Sequence, residues 1–280
     1  MKRFLVLPGA LTVLALAGCG GGGGTSQFAV QPAAIFSLSN FLPAKPVEAG
    51  KPTTVSFAIK QPNGTLLTKF KKGPGPHTGV HLIIVREDLA YIVHHHPPVG
   101  PTGRLTDSVT FPAPGPYRVV VDVYPATGTQ PNFQLFTHIR VAGAYKPQPL
   151  PPPRSTDLVS GYRFTLSGAS QLRAVQAQDV VVHVTEPGGK PAEFTPWFGA
   201  LAHAIFFRHG SLDYFHTHVC APGATGCTSI LGPARVTGTS STPGKLTVGV
   251  LVPAPGTWRL FLQCKVDGTI LTAPFTLHVR

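Results

Sequence analysis

Beyond Met1 the chain contains no methionine. That excludes a thioether-rich Cu(I) site and a blue-copper centre with an axial Met. Carboxylates are scarce: Asp and Glu together number 11 in 280 residues. None pairs with another in a recognisable acid/base motif. Gly-x-Ser-x-Gly, a phosphate-binding Gly loop and His-Glu-x-x-His are all absent. A non-enzymatic role is therefore expected. Past the N-terminal segment, no stretch reaches the eighteen or so apolar residues that a membrane span needs. Charge is sparse too, at 12%, while Gly numbers 31 and Pro 30. That mixture predicts short strands joined by tight turns, not long helices. Apolar residues still make up 42% and come in patterned runs, which excludes disorder.

The formal net charge is +12. A nucleic-acid binder clusters its Lys and Arg on one stripe. Here they are scattered singly, with Lys69, Lys71 and Lys72 the only tight group. No nucleic-acid partner is expected.

What the chain does have begins at its N-terminus. Lys2 and Arg3 precede an apolar run from Phe4 to Ala17, and Leu16-Ala17-Gly18-Cys19 follows. The first two features are those of a secretory signal, too short to span a membrane. The last resembles the bacterial lipobox, which implies cleavage before Cys19 and a lipid on its sulfur. Residues 1–18 are expected to be a lipoprotein signal peptide, and 19–27 a Gly-rich tether. The globular part is then expected outside the cytoplasm, held to the cell membrane or outer membrane through that lipid. In such an oxidising compartment cysteines read as possible disulfides. Cys220 and Cys227 share one loop, so a local disulfide is expected, with a Cys220 thiolate ligand as the sharper alternative. Cys264 is expected to be a buried free thiol.

The chain repeats itself. His81 is followed by His94-His95-His96, and His203 by His216-Thr217-His218. The offset is 122 residues at 81/203, 94/216 and 96/218. Pro112-Ala-Pro-Gly-Pro-Tyr-Arg-Val-Val-Val121 aligns without gaps on Pro253-Ala-Pro-Gly-Thr-Trp-Arg-Leu-Phe-Leu262. Tyr145 to Arg154 is a proline-rich linker between the copies. Two tandem domains are expected, at 28–143 and 158–280, with a linker at 144–157. About seven short strands per copy predict an all-β fold: two immunoglobulin-like or cupredoxin-like β-sandwiches, with Tyr117 and Trp258 as core anchors.

The histidines carry the functional signal. A hairpin turning at Glu87-Asp88 sets His81 opposite His94, and the same pairing sets His203 opposite His216. Residues two apart share a strand face, so His96 points with His94 and His218 with His216. His77 falls on the face of His81, and His95 on the other. Each copy is thus expected to gather a separate trio, His81/His94/His96 with His77 beside it, and His203/His216/His218. Histidine-only sites suit copper or zinc. A structural role, closing the end of a sandwich by hydrogen bonds, is the rival reading. His138, His183, His209 and His278 are isolated and read as structural.

The pattern His81-Leu-Ile-Ile-Val, Asp88-Leu89, His94-x-His96-Pro97, then Pro114-Gly115-x-Tyr117-Arg118 resembles bacterial envelope proteins with a β-sandwich module of the YtkA-like sort. Phe198 to His203, Trp258 to Leu262 and Ala273-Pro-Phe-Thr276 repeat it. The resemblance implies heavy-metal or copper handling. Copy two departs from it after His218, where Val219-Cys220 replaces the Pro. The resulting expectation is a lipid-anchored chaperone, buffer or sensor for a copper or zinc ion, with a metal-transport partner. The alternative is a metal-free extracytoplasmic adhesion or scaffold module.

Overall fold

The computed structural model describes residues 35–72, 79–126, 131–224 and 227–280. The signal peptide, the tether with Cys19, and His77 lie outside the described residues. The fold is all-β, with a single short 3-10 turn at Ala169–Gln171 among the described residues.

The first copy runs β1 (Ser37–Leu42), β2 (Val47–Glu48), β3 (Pro52–Lys60), β4 (Val80–Arg86), β5 (Ile92–His95), β6 (Leu105–Thr110), β7 (Gly115–Val123) and β8 (Phe133–Ala142). These form two sheets, β1-β3-β6 and β2-β8-β7-β4-β5. The alternation of apolar residues along facing strands closes them into a sandwich. Phe57, Leu82, Phe111, Tyr117 and Val121 belong to the core between them.

The second copy runs β9 (Thr156–Val159), β10 (Tyr162–Ser167), β11 (Gln178–Thr185), β12 (Phe194–Thr195), β13 (Ala202–Arg208), β14 (Tyr214–Cys220), β15 (Thr228–Leu231), β16 (Ala234–Thr242), β17 (Lys245–Val250), β18 (Gly256–Val266) and β19 (Thr269–Val279). Its core includes Phe164, Val182, Phe206, Trp258 and Phe275. The loop insertion of this copy supplies β15 and β16. β16 pairs antiparallel with β17 and, at Val219↔Gly238, parallel with β14, which joins the two layers into one continuous sheet.

Tyr117 and Trp258 occupy equivalent places and are fully buried. Each hydrogen-bonds four residues back: the Tyr117 hydroxyl to the Ala113 carbonyl at 2.8 Å, the Trp258 indole to the Ala254 carbonyl at 3.0 Å. The shared Pro-Ala-Pro-Gly motif has a local cause. Gly115 and Gly256 open β7 and β18 at φ +132° and +131°, a backbone region that side chains disfavour.

Cys220 and Cys227 are joined by a disulfide. It ties the end of β14 to the start of the β15–β16 insertion. Breaking it with Cys227→Ser is expected to cost about 2–3 kcal/mol, the loop-closure entropy of so short a ring. A urea titration checks this; an unchanged midpoint would mean that the hairpin is held without it. Cys264 is fully buried on β18, and burial pushes its thiol up to about 12.

The two sandwiches pack against each other. On β4, Val80, Leu82 and Ile84 face their own core, while Ile83 and Val85 join a separate apolar cluster. On β13, Ala202, Ala204 and Phe206 face inward, and Ile205 and Phe207 join that same cluster. Val120 and Phe261, which occupy matched positions, belong to it as well, with Leu89. Both copies therefore contribute the same patch, as in a two-fold dimer. The linker is pinned to this junction. Leu150 packs on the cluster, and the Gln148 amide donates to Asp88 at 2.8 Å. Asp88 is itself clasped by Arg86, Nε to Oδ1 at 2.8 Å.

Candidate metal centre

His81 shares its strand face with Ile83 and Val85, and His203 shares its face with Ile205 and Phe207. Both histidines therefore point into the junction, not into separate solvent-facing sites. The hairpin register differs from the sequence expectation. Ile83 lies opposite His94 and Leu82 opposite His95, so the position facing His81 is His96, not His94. In copy two His203 lies opposite His218, not His216. The slip is two residues in each case, because the turns are longer than the two-residue Glu87-Asp88 reading assumed. Leu89 and Leu212 both take left-handed backbone there, at φ +61° and +59°. An even slip keeps every side chain on its face.

Six imidazoles consequently meet in one place. His81 is 4.2 Å from His96 and 4.8 Å from His216, ring centre to ring centre. His94 and His203 are 4.8 Å apart, and His216 and His218 4.3 Å. The expected pair of separate trios is thus replaced by one composite cluster. Its sets of close ring nitrogens are His94/His96/His203, His81/His94/His216 and His203/His216/His218, with donor atoms of each set within 4.8 Å of one another. Two of the three draw on both copies. His94, His203 and His216 each belong to two sets and form the corners of a triangle.

His95 points away and bonds Asp107 through Nδ1 at 2.8 Å. His138 lies against Arg118 at 3.2 Å. Neither these nor His183, His209 and His278 belong to any such set among the described residues.

Partners fix the tautomers at two corners. A carbonyl only accepts, so His203 donates Nε2–H to the Trp197 carbonyl at 2.9 Å. Its Nδ1 then carries the lone pair, buried and without a hydrogen-bond partner among the described residues. His94 Nδ1 lies 2.9 Å from Gln263 Oε1, while the Gln263 amide nitrogen donates to Thr272 Oγ1 at 3.0 Å. His94 thus carries its hydrogen on Nδ1 and turns Nε2 inward, 3.3 Å from His96 Nε2. Such outer bonds orient metal-ligating imidazoles. His96 is held flat on Phe198, with ring centres 3.7 Å apart.

Four side chains here went unnoticed in the sequence: Asp122, Gln263, Tyr124 and Tyr214. Asp122 pairs across the sheet with His81, and Gln263 with His203. They are the residues that follow Val121 and Leu262, the ends of the gap-free alignment. Each interrupts an apolar strand at the matched position, and that shared interruption was the available signal. Asp122 Oδ2 accepts from the Tyr124 hydroxyl at 3.1 Å and the Tyr214 hydroxyl at 3.4 Å. The same oxygen is 3.5 Å from His81 Nδ1 and 3.7 Å from His216 Nδ1.

Burial first, and neighbouring imidazoles second, hold His94, His216 and His218 well below the usual histidine range. His96 is lowered for the same reasons. Burial brings His203 down to about 3. These five rings are thus neutral, the form that ligates metals. The sign of the pH dependence follows. Below about pH 6.5 the unfolded chain takes up protons that the folded, metal-free cluster refuses, so stability falls with pH. Above it both states are neutral and the effect vanishes. The urea midpoint of the metal-free protein is expected to be level from about pH 8 to 7 and to fall below about 6.5, by at most about 1.4 kcal/mol per pH unit for each histidine. A midpoint that holds or rises toward pH 5 would contradict a cluster of buried neutral rings.

The sequence model of one family, described as a domain of unknown function, DUF8832, matches residues 39–139 and 157–280. The chain belongs to the DUF8832 family. One matched stretch falls on the first sandwich and the other on the second. No curated protein matches the chain in sequence. Among solved structures it is similar to invasin, a bacterial integrin-binding protein, at 12% identity over 87% of this chain and 38% of that one, with a TM-score of 0.25. It is similar to a tetra-tandem repeat in the extending region of a large adhesion protein, at 8% identity, 88% and 49% coverage and a TM-score of 0.27. A Ca2+-stabilised adhesin of an Antarctic bacterium gives 13%, 89% and 49%, with a TM-score of 0.23. The chain spans less than half the length of each, and likenesses of this size say nothing of function.

Proposed function

We propose that this DUF8832 protein binds a transition-metal ion, copper or zinc, at the junction of its two sandwiches, as a chaperone, buffer or sensor and not as an enzyme. The observation that carries the reading is the set His94/His96/His203. His94 Nε2 and His96 Nε2 lie 3.3 Å apart. Two ligands on a tetrahedral ion with bonds of about 2.0–2.1 Å stand about 3.3 Å from each other. The buried Nδ1 of His203 has no hydrogen-bond partner among the described residues, a condition that calls for an explanation such as an ion. His94 would bind through Nε2 and His203 through Nδ1, with Gln263 and Trp197 behind them. The ion would supply affinity between the two copies.

The protein is further proposed to sit outside the cytoplasm, anchored through a lipid on Cys19, and to exchange its ion with a metal-transport partner. The Cys220–Cys227 disulfide supports an oxidising compartment. No helix among the described residues is long and apolar enough to cross a membrane.

The second reading is a metal-free extracytoplasmic adhesion or scaffold module. Two observations agree with structural histidines: His94 and His203 already have protein partners, Gln263 and Trp197. Equilibrium dialysis of the chain against Cu(II) and Zn(II) separates the readings. Stoichiometric binding that is lost in His94→Ala/His96→Ala/His203→Ala supports the metal site. No tight binding, or binding that survives the triple substitution, leaves the scaffold reading.

A further inference from the structure

His203 belongs to two of the three histidine sets, His94/His96/His203 and His203/His216/His218. It has one lone pair to give, on Nδ1, because its Nε2–H is bonded to the Trp197 carbonyl. That lone pair binds one ion at a time, so the two sets cannot be filled together. Two positions about 2.0–2.1 Å from a single nitrogen lie within about 4 Å of each other. An ion can therefore pass between the sets while His203 keeps hold of it. His94 and His96 let go as His216 and His218 take over. The ligand count stays the same and no electron is transferred. The exchange crosses the junction, since His94 and His96 come from the first copy and His216 and His218 from the second.

The two sets differ in access. His216 and His218 line a cavity of about 520 Å³ that opens toward solvent, whereas His94, His96 and His203 do not. Thr228 to Leu231, on β15, and Cys227 form part of its wall. The disulfide ties that wall to the end of β14, the strand that carries both histidines. Both ring nitrogens of His216 are buried, and neither is in a hydrogen bond among the described residues. A buried polar group in that state calls for an explanation.

Charge agrees with a passage for a cation. The chain has a formal net charge of +12. Yet neither Lys nor Arg is among the described residues that line this cavity, and Asp122 is their one acidic member. The Tyr124 and Tyr214 hydroxyls donate to Asp122 Oδ2, which lies 3.7 Å from His216 Nδ1. A cleft lined by one sign of charge raises the local concentration of the opposite ion. Asp122 thus draws the cation to the inner end of the cavity without ligating it.

We infer that this cavity is the passage by which the ion enters and leaves, with His203/His216/His218 as the station at its inner end. A single ion rests on His94/His96/His203 and reaches the station through His203. The inference rests on the metal-binding reading proposed above, with the ion as cargo. Every set contains His94 or His203, so removal of both leaves neither a resting place nor a station.

The test is the rate at which excess EDTA strips Zn(II) from the loaded whole chain, with the number of ions bound at saturation. It compares the wild type with Ser229→Trp and with His218→Ala. Ser229 lines the cavity but belongs to none of the histidine sets, so Trp there fills the passage and leaves the ligands in place. One ion is expected in all three, with removal at least about tenfold slower in each variant, because the low-barrier way out is lost. Rates equal to or faster than the wild type in both variants would overturn the passage and leave the resting site standing. Slowing in Ser229→Trp alone would overturn the station, and slowing in His218→Ala alone would overturn the cavity as the path. No ion in His218→Ala would place His218 in the resting site and overturn the division between the two sets. No ion in the wild type would overturn the metal site itself.

Discussion

Saturating Zn(II) is expected to raise the melting temperature of the wild-type chain by about 8–16 °C, and to leave that of His94→Ala/His203→Ala nearly unchanged. An ion present at about a thousand times its dissociation constant stabilises the folded state by about 4 kcal/mol. A folded chain of roughly 150–250 residues gains roughly 2–4 °C for each kcal/mol. His94 and His203 are the informative pair because they come from different copies and their tautomers are set by Gln263 and Trp197. The comparison is between melting shifts, so any loss of stability in the metal-free variant cancels. Calorimetry with and without Zn(II) checks it. A shift retained in the double variant would place the ion elsewhere.

Phe207→Ala is expected to lose about 3–5 kcal/mol of stability, and to weaken metal binding at least about tenfold. Phe207 is fully buried, yet it belongs to the cluster between the sandwiches and not to the core of its own. Each sandwich should therefore survive its removal while the junction loosens. His94 and His96 belong to one side of that junction and His203 to the other, so a looser junction separates the ligands. Leu158→Ala is the control, since Leu158 is 60% exposed. Urea titration and dialysis on the same samples read both effects. Weakened stability with unchanged metal affinity would show that the ligands do not depend on the packing of the two copies.

The all-β fold was legible in the Gly/Pro punctuation and short apolar runs, and the internal repeat in the 122-residue offset of the histidines. Which side chains face the cluster was legible too, because face depends only on the parity of strand position. His95 points away and bonds Asp107, as parity required. The register was not legible, because it depends on how many residues the turn absorbs, and Leu89 and Leu212 sit there in left-handed conformations that the sequence does not announce. The larger miss was that the two trios are one cluster. Its signal was present in β4 and β13. His81-Leu-Ile-Ile-Val85 and His203-Ala-Ile-Phe-Phe207 are apolar on both faces, where a strand with one solvent face alternates. A strand apolar on both sides needs a second layer, and here that layer is the other copy. Asp122 and Gln263 escaped for a related reason. Singly they look like chance polar residues, and only the pairing of the copies shows that they stand beside matched histidines.

The most direct measurement is an anomalous difference map from crystals grown with Zn(II) or Cu(II), recorded at the edge of the metal. A peak is expected at the junction of the sandwiches, about 2.0–2.1 Å from His94 Nε2 and from His203 Nδ1, with His96 as a third ligand. A map with peaks only at histidines outside the cluster, such as His95 or His138, or with none, would contradict a metal centre shared by the two copies.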